Sequence, residues 1–162
     1  MEIYIIRHGI AAVKGTYAED AQRPLTEKGI NKTKKVAQRL SNMDITFKYI
    51  LSSPFVRAYQ TAEILQNTGL GKEITIHEPL AQGGDINLWL DWLSNNYNSE
   101  QKIALVGHEP DLTNWAELLI FGSINDKLIL KKSGIIGIKI LNKTEPIDSG
   151  ELFLLNSPKW FI

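Results

Sequence analysis

The sequence contains no cysteine. That excludes disulfides, a thiolate nucleophile and any cysteine-ligated metal. Net charge is absent too, with 18 Lys and Arg against 18 Asp and Glu. A chain built to coat nucleic acid or an anionic membrane carries a basic excess, so neither partner is expected. No apolar run approaches the ~20 residues of a membrane-spanning helix. The N-terminal run 3–6 stops at Arg7 and has no basic segment before it, unlike a secretory signal. The expectation is a soluble cytoplasmic protein, monomeric by default. Histidine is scarce, confined to His8, His77 and His108, so imidazole chemistry has few candidates. What remains is 162 residues, 43% of them hydrophobic. That is enough for one domain, 1–162, with a sizeable core.

Strand-like and helix-like runs alternate along most of the chain. Short apolar runs at 2–6, 48–51, 73–77 and 103–106 read as strands. Apolar residues recur at helical spacing in four places. These are Ile30, Thr33, Ala37 and Leu40; Phe55, Ala58, Ala62 and Leu65; Ile86, Trp89, Leu90, Leu93 and Tyr97; and Leu112, Trp115, Ala116, Leu119 and Ile120. The tail changes style, with two strands at 134–141 and 151–155 around a polar loop. An alternating β-α pattern predicts an α/β fold, a mostly parallel sheet with helices on both faces. The helix-free end predicts a hairpin at one edge, making the sheet mixed. Trp89, Trp92 and Trp115 are expected in helix packing, and Trp160-Phe161-Ile162 is expected to fold back on the domain.

Ligands of such sheets bind beyond the carboxyl ends of the strands, and three of those ends share one chemistry. The first reads Arg7-His8-Gly9: an imidazole for nucleophilic attack or phosphate binding, and a glycine that lets backbone approach a ligand. The second reads Gly107-His108-Glu109-Pro110, with Pro110 suited to the first turn of a helix. The third reads Ser52-Ser53-Pro54-Phe55-Val56-Arg57. Ser53 can cap a helix and Pro54 can open it, which puts Arg57 near its positive end. Segment 9–25 is long for a strand-to-helix connection, as functional loops often are.

Together with Arg23-Pro24-Leu25-Thr26-Glu27-Lys28-Gly29 and Gln60-Thr61-Ala62, these segments resemble the histidine phosphatase superfamily, over roughly residues 1–120. Within it they resemble the small bacterial phosphohistidine phosphatases. The resemblance implies a three-layer α/β/α, phosphoglycerate-mutase-like fold. It implies that His8 is a nucleophile that becomes transiently phosphorylated, with Arg7, Arg57 and His108 completing the phosphate pocket. Arg23 matches a further phosphate-contacting arginine. His77 matches nothing catalytic and reads as structural.

The pattern is chemically coherent. Phosphoryl transfer leaves negative charge on the equatorial oxygens. Guanidinium groups match those oxygens in a planar fork, and a nearby arginine disfavours protonation of His8. No acidic cluster at a strand end suits Mg²⁺, so neither a metal nor another cofactor is expected. His108 could add a further positive charge. The general acid is open: Asp85 lies near where the larger superfamily members keep one, but it could equally cap the helix that follows, and Glu19, Asp20 and Glu109 are also available. An imidazole leaving group needs little acid help, because its pKa is near neutral. The short connections leave little chain for a lid. Both points favour a phosphohistidine-bearing protein as substrate, such as a histidine phosphotransfer domain. The alternatives are a small-molecule phosphomonoesterase of the same fold, a phosphoglycerate mutase, for which the chain lacks enclosing segments, and a non-catalytic phosphate- or phosphoprotein-binding module.

Overall fold

A computed structural model describes residues 1–161. The strands are β1 (Glu2–Arg7), β2 (Tyr49–Ser52), β3 (Ile74–Ile76), β4 (Lys102–Gly107), β5 (Ile135–Ile140) and β6 (Gly150–Asn156). The helices are α1 (Glu27–Ser41), α2 (Val56–Asn67), α3 (Ile86–Asn96), α4 (Asp111–Phe121) and a short α5 (Pro158–Phe161). All six strands form one sheet in the order β3-β2-β4-β1-β5-β6. The first four are parallel; β5 runs antiparallel to β1, and β6 antiparallel to β5 at the edge. The expected mixed sheet with a C-terminal edge hairpin is therefore present.

The layers follow from the two-residue period of a strand. In β1, Ile3 and Ile5 enter one core, with Ile103 and Leu105 of β4 and with Trp89, Leu93, Leu112 and Trp115 of α3 and α4. Tyr4 and Ile6 enter the other, with Ala104 and Val106 and with Val36, Leu40, Ala58, Ala62 and Leu65 of α1 and α2. Strands β1 and β4 are apolar on both faces because each face carries helices. Trp89 and Trp115 stack at 5.8 Å in the first core, and Trp92 meets Tyr49 edge-on at 5.3 Å.

The chain end departs from expectation. Phe161 packs against the second core, but Trp160 is 84% exposed, and Ile162 lies outside the described residues. A single-turn helix buries only one side, and Trp160 falls on the other.

The helix starts also differ by a residue or two. Thr26 caps α1, its Oγ1 accepting from the Gly29 N–H at 3.1 Å. Asp85 caps α3 through the Asn87 N–H at 2.9 Å. Helix α2 begins only at Val56, so Pro54 stays outside it. Pro110 sits at the N-cap of α4 rather than inside its first turn. Gly29 has a packing reason to be glycine: a Cβ there would overlap the carbonyl group of Ile10. That close approach seats α1 against the segment leaving β1.

Among the described residues, no helix is long and apolar enough to cross a membrane.

Candidate active site

Strand register assembles the site. Ile6 pairs with Val106 and Arg7 with Gly107, while Ser52 pairs with Val106 on the other side of β4. The next residues leave the sheet side by side. The His8 N–H donates to the Gly107 carbonyl at 3.1 Å, and the Ser53 N–H to the Val106 carbonyl at 2.9 Å. His8 and His108 thus face each other across the carboxyl edge, ring centroids 5.1 Å apart.

His8 is 5% exposed. Its Nδ1 lies 2.7 Å from the Gly9 carbonyl oxygen, which can only accept, so Nδ1 carries the proton. Nε2 then holds a lone pair, and Arg57 Nε–H donates to it at 3.3 Å. A nucleophilic nitrogen and a guanidinium are therefore in place around one point. Burial is the main reason the His8 pKa is pushed down to about 2, followed by repulsion from His108; the Gly9 carbonyl opposes the shift, and Arg57 and Lys132 add to it. The arginine effect expected from the sequence is present but secondary.

His108 is 1% exposed, with Nε2 2.8 Å from Ser53 Oγ. That oxygen also accepts the Phe55 N–H at 3.2 Å and has a second lone pair, so either partner can supply the proton of its bond to Nε2. His108 Nδ1 is buried and unpartnered. With its proton on that nitrogen, the ring offers a phosphoryl oxygen a donor beside His8. Ser53 thus orients His108 instead of capping α2. Burial, then Arg57, lowers the His108 pKa to about 3, so the ring is neutral in the ligand-free site rather than cationic as the sequence suggested.

Arg57, in the first turn of α2, is fully buried. Its Nη1 donates to the Asp20 carbonyl at 2.8 Å and its Nη2 to Asp20 Oδ2 at 2.9 Å. Asp20 Oδ1 receives Arg23 Nε–H at 2.8 Å, and Arg23 Nη1 donates to the Ala12 carbonyl at 2.6 Å. One carboxylate, on a 3-10 turn within the loop after β1, ties both arginines together. Phe55 supports the pair, lying 5.0 Å from the Arg57 guanidinium and 4.9 Å from the His108 ring. Arg7 donates through Nη1 to the Leu130 carbonyl at 2.8 Å, while its Nε is buried without a partner.

The remaining sequence candidates fall in different places. Gly9 donates its N–H to Thr61 Oγ1 at 3.0 Å; a Cβ on it would meet the Thr33 hydroxyl and Leu25, so its smallness answers protein packing. Asp85 Oδ1 is engaged by the Asn87 N–H and Nδ2 and bonds to none of the pocket residues. Hydrogen bonding to Arg23 holds the Asp20 carboxyl below its usual range, which makes it a poor proton donor. Glu109 is the reverse. Burial raises its pKa against the pull of Arg7, Thr113 bonds Oε2 at 2.8 Å, and Oε1 is buried and unpartnered. Glu19 is exposed. His77 packs against Trp92 at 6.1 Å, away from the pocket residues. Among the described residues, no three His, Asp or Glu side chains cluster as metal ligands would.

The motif residues after Arg57 have roles that sequence reasoning left blank. Thr61 Oγ1 accepts from Gly9 and donates to the Arg57 carbonyl at 2.8 Å, and Gln60 Oε1 accepts the Leu25 N–H at 2.7 Å. Both fasten the loop after β1 to α2. Their spacing from Arg57, one helical turn, was the available signal.

The neutral histidines have a consequence for stability. Unfolded, both titrate near 6.5; folded, they stay neutral down to about 2 and about 3. Below pH 6.5 the unfolded chain binds protons that the native state refuses, so stability is full above that pH and lost as pH falls. From pH 7 to pH 5 the pair should remove about 4 kcal/mol. Urea unfolding at the two pH values measures it, and equal free energies would contradict the buried, neutral state.

Imidazoles and guanidiniums thus converge at the carboxyl edge of a mostly parallel sheet, a set of groups chemically suited to a phosphoryl group. Residues 3–83 match the histidine phosphatase superfamily (branch 1), and the chain belongs to that family; it is a phosphatase. It is 47% identical to an uncharacterized protein of Picosynechococcus sp., covering 100% of this chain and 99% of that one. It is 31% identical to the phosphohistidine phosphatase SixA of Escherichia coli, over 68% of each chain. A solved structure of the protein histidine phosphatase SixA complexed with tungstate superimposes with a TM-score of 0.85, at 26% identity and 98% coverage of both chains. The alpha-ribazole phosphatase of Shigella flexneri, 20% identical with a TM-score of 0.73, covers 98% of this chain and 97% of its own and shares the fold.

Proposed function

We propose that this chain, as a single domain, removes phosphate from a histidine side chain of another protein through a phospho-His8 intermediate, without a metal. The observation that carries the reading is the His8 Nε2 lone pair, held beside Arg57 Nε at 3.3 Å. His8 Nε2 attacks phosphorus in line, displacing the Arg57 contact. The new P–N bond forms as the substrate P–N bond breaks, and the substrate imidazole, already protonated on its other nitrogen, leaves as the neutral ring. Water then attacks phosphorus, the P–Nε2 bond breaks, and inorganic phosphate departs. Arg7, Arg23, Arg57 and His108, with its proton on the otherwise unpartnered Nδ1, face the charge on the equatorial oxygens.

Three points support the substrate class. One P–N bond is exchanged for another, so little acid assistance is needed. Asp20, on the pocket, is committed to two arginines as an anion, and Asp85 caps a helix. The relatives named SixA act on phosphohistidine by name. Glu109 favours a second reading. A carboxyl whose burial favours the protonated form could protonate an alkoxide, so a small phosphomonoester is the alternative substrate.

The test is kcat/KM on a phosphohistidine protein against an aryl phosphate, each with EDTA. The expected result is a preference of about 10²-fold or more for phosphohistidine, undiminished by EDTA, with acid-labile phosphate trapped on His8. The reverse preference assigns the monoester, and binding without turnover makes the chain a phosphate-binding module.

A further inference from the structure

Segment 122–134, between α4 and β5, carries no periodicity and no recognisable motif, yet it closes one wall of the pocket. The Leu130 carbonyl accepts from Arg7 Nη1 at 2.8 Å. The Ser133 N–H donates to the carbonyls of Arg7 and His8 at 3.1 and 3.2 Å, and Ser133 Oγ lies 2.9 Å from Thr33 Oγ1. Lys132 is bracketed by these contacts, so its backbone runs directly beside the nucleophile.

We propose that Lys132 is a fourth cationic ligand of the phosphoryl group, carried to the site by a segment that the buried Glu117 carboxylate pins in place.

The first argument is geometric. Leu130 and Ser133 fix the chain on both sides of Lys132, two residues before it and one after. The second is electrostatic. The Lys132 ammonium is half-buried and feels repulsion from Arg7, Arg23 and Arg57, and it in turn opposes protonation of His8. It therefore shares the field of the pocket. Among the described residues it has no ion-pair partner. Holding like charges together without a counter-ion opposes folding, and the arrangement makes sense where an anion arrives to bind.

The third argument concerns free donors. Arg57 and Arg23 already share the Asp20 carboxylate, and Arg7 gives one N–H to Leu130. Lys132 keeps all three of its N–H groups for a ligand.

Glu117 explains how an irregular segment holds this position. The residue is 1% exposed. Its Oε2 accepts the N–H groups of Asn125 and Asp126, and its Oε1 those of Lys127 and Leu128 at 2.6 and 2.9 Å. Four backbone donors on one carboxylate keep it ionised. They also fold the segment so that it re-enters the site two residues later, at Leu130. Glu117 is thus a positioning residue, acting through the chain it holds.

The proposal deepens the phosphatase reading of the same pocket, and an inorganic oxyanion tests it without reference to any substrate. Tungstate binding is measured by calorimetry for the intact protein and for Lys132→Met, Lys132→Arg, Glu117→Gln, the Lys132→Met/Glu117→Gln double variant and Arg57→Ala. Lys132→Met should weaken binding about 10-fold, equivalent to one charge-assisted contact, and Lys132→Arg should stay within about 3-fold of the parent. Glu117→Gln should weaken binding as well. The double variant should be weaker than either single by much less than the product of the two losses, because both act through one ammonium. Unchanged affinity in Lys132→Met, with Arg57→Ala strongly impaired, overturns the Lys132 assignment and leaves the pocket standing. Unchanged affinity in both overturns the pocket itself. Fully multiplicative losses overturn the positioning role of Glu117, and the Lys132 pair decides the ligand even where the Glu117 variant fails to fold.

Discussion

Replacing His8 with Ala should reduce turnover at least ~10⁴-fold, the scale seen when a covalent nucleophile is removed, and should abolish acid-labile phosphate on the protein. No other side chain in the pocket can take its place. His108 is held at Nε2 by Ser53, and nothing orients its Nδ1 as the Gly9 carbonyl and Arg57 orient the two nitrogens of His8. The fold should survive. His8 ends no core cluster, and its ring occupies space between Arg57 and His108 rather than among apolar side chains. The variant also lacks one buried neutral imidazole, so its stability should fall less steeply than the parent's as pH drops from 7 to 5. Single-turnover assays and urea unfolding on the same preparations give both readouts. Substantial residual turnover would remove His8 from the mechanism.

Arg57→Ala should lower kcat/KM about 10³-fold, in the upper part of the range for losing a preorganised charge-stabilising donor. Three separate functions sit on this guanidinium. Its Nε points at the His8 lone pair, its Nη groups hold both a carbonyl and a carboxylate of Asp20, and through Asp20 it is coupled to Arg23. Lysine cannot reproduce a planar fork with three directions, so Arg57→Lys should recover less than about 10-fold of the loss. The effect should appear in the rate of phospho-His8 formation, measured by rapid quench. A loss confined to KM, with that rate unchanged, would show that Arg57 only holds the substrate.

The parts of the site at strand ends were readable because a strand end is a position that sequence defines. The runs ending at Arg7, Ser52 and Gly107 each stop at a polar or glycine residue, and parallel register then brings their neighbours together. The two-faced apolar pattern of β1 and β4 likewise announced helices on both sides. Asp20 could be named only as one of several acids. Its position bridging two arginines depends on a 3-10 turn inside an aperiodic loop. Lys132, Leu130 and Glu117 escaped for the same reason, since segment 122–134 meets β1 only through tertiary contacts. The protonation of His8 was assigned to a neighbouring arginine, whereas burial dominates, and burial belongs to the assembled layers rather than to any local motif. Trp160 was misplaced because hydrophobicity predicts a preference for burial, not which side of a single helical turn will face the protein.

The place of β1 in the sheet also dictates when the enzyme can first exist. The strand that carries Arg7 and leads into His8 is made first, yet its hydrogen-bonding neighbours are Lys102–Gly107 on one side and Ile135–Ile140 on the other. A chain still being synthesised displays both edges of an almost wholly apolar strand until about a hundred further residues have emerged. Such delayed, distant pairing slows folding and leaves sticky surface open to other chains. It also keeps the nucleophile unformed: β4 lies between β1 and β2, so His8 can meet Arg57 and His108 only once β4 is in place, and the Ser133 backbone contacts follow later still. A nascent chain of this phosphatase therefore has no working site with which to act on cellular phosphates until β4 and segment 122–134 have both been made.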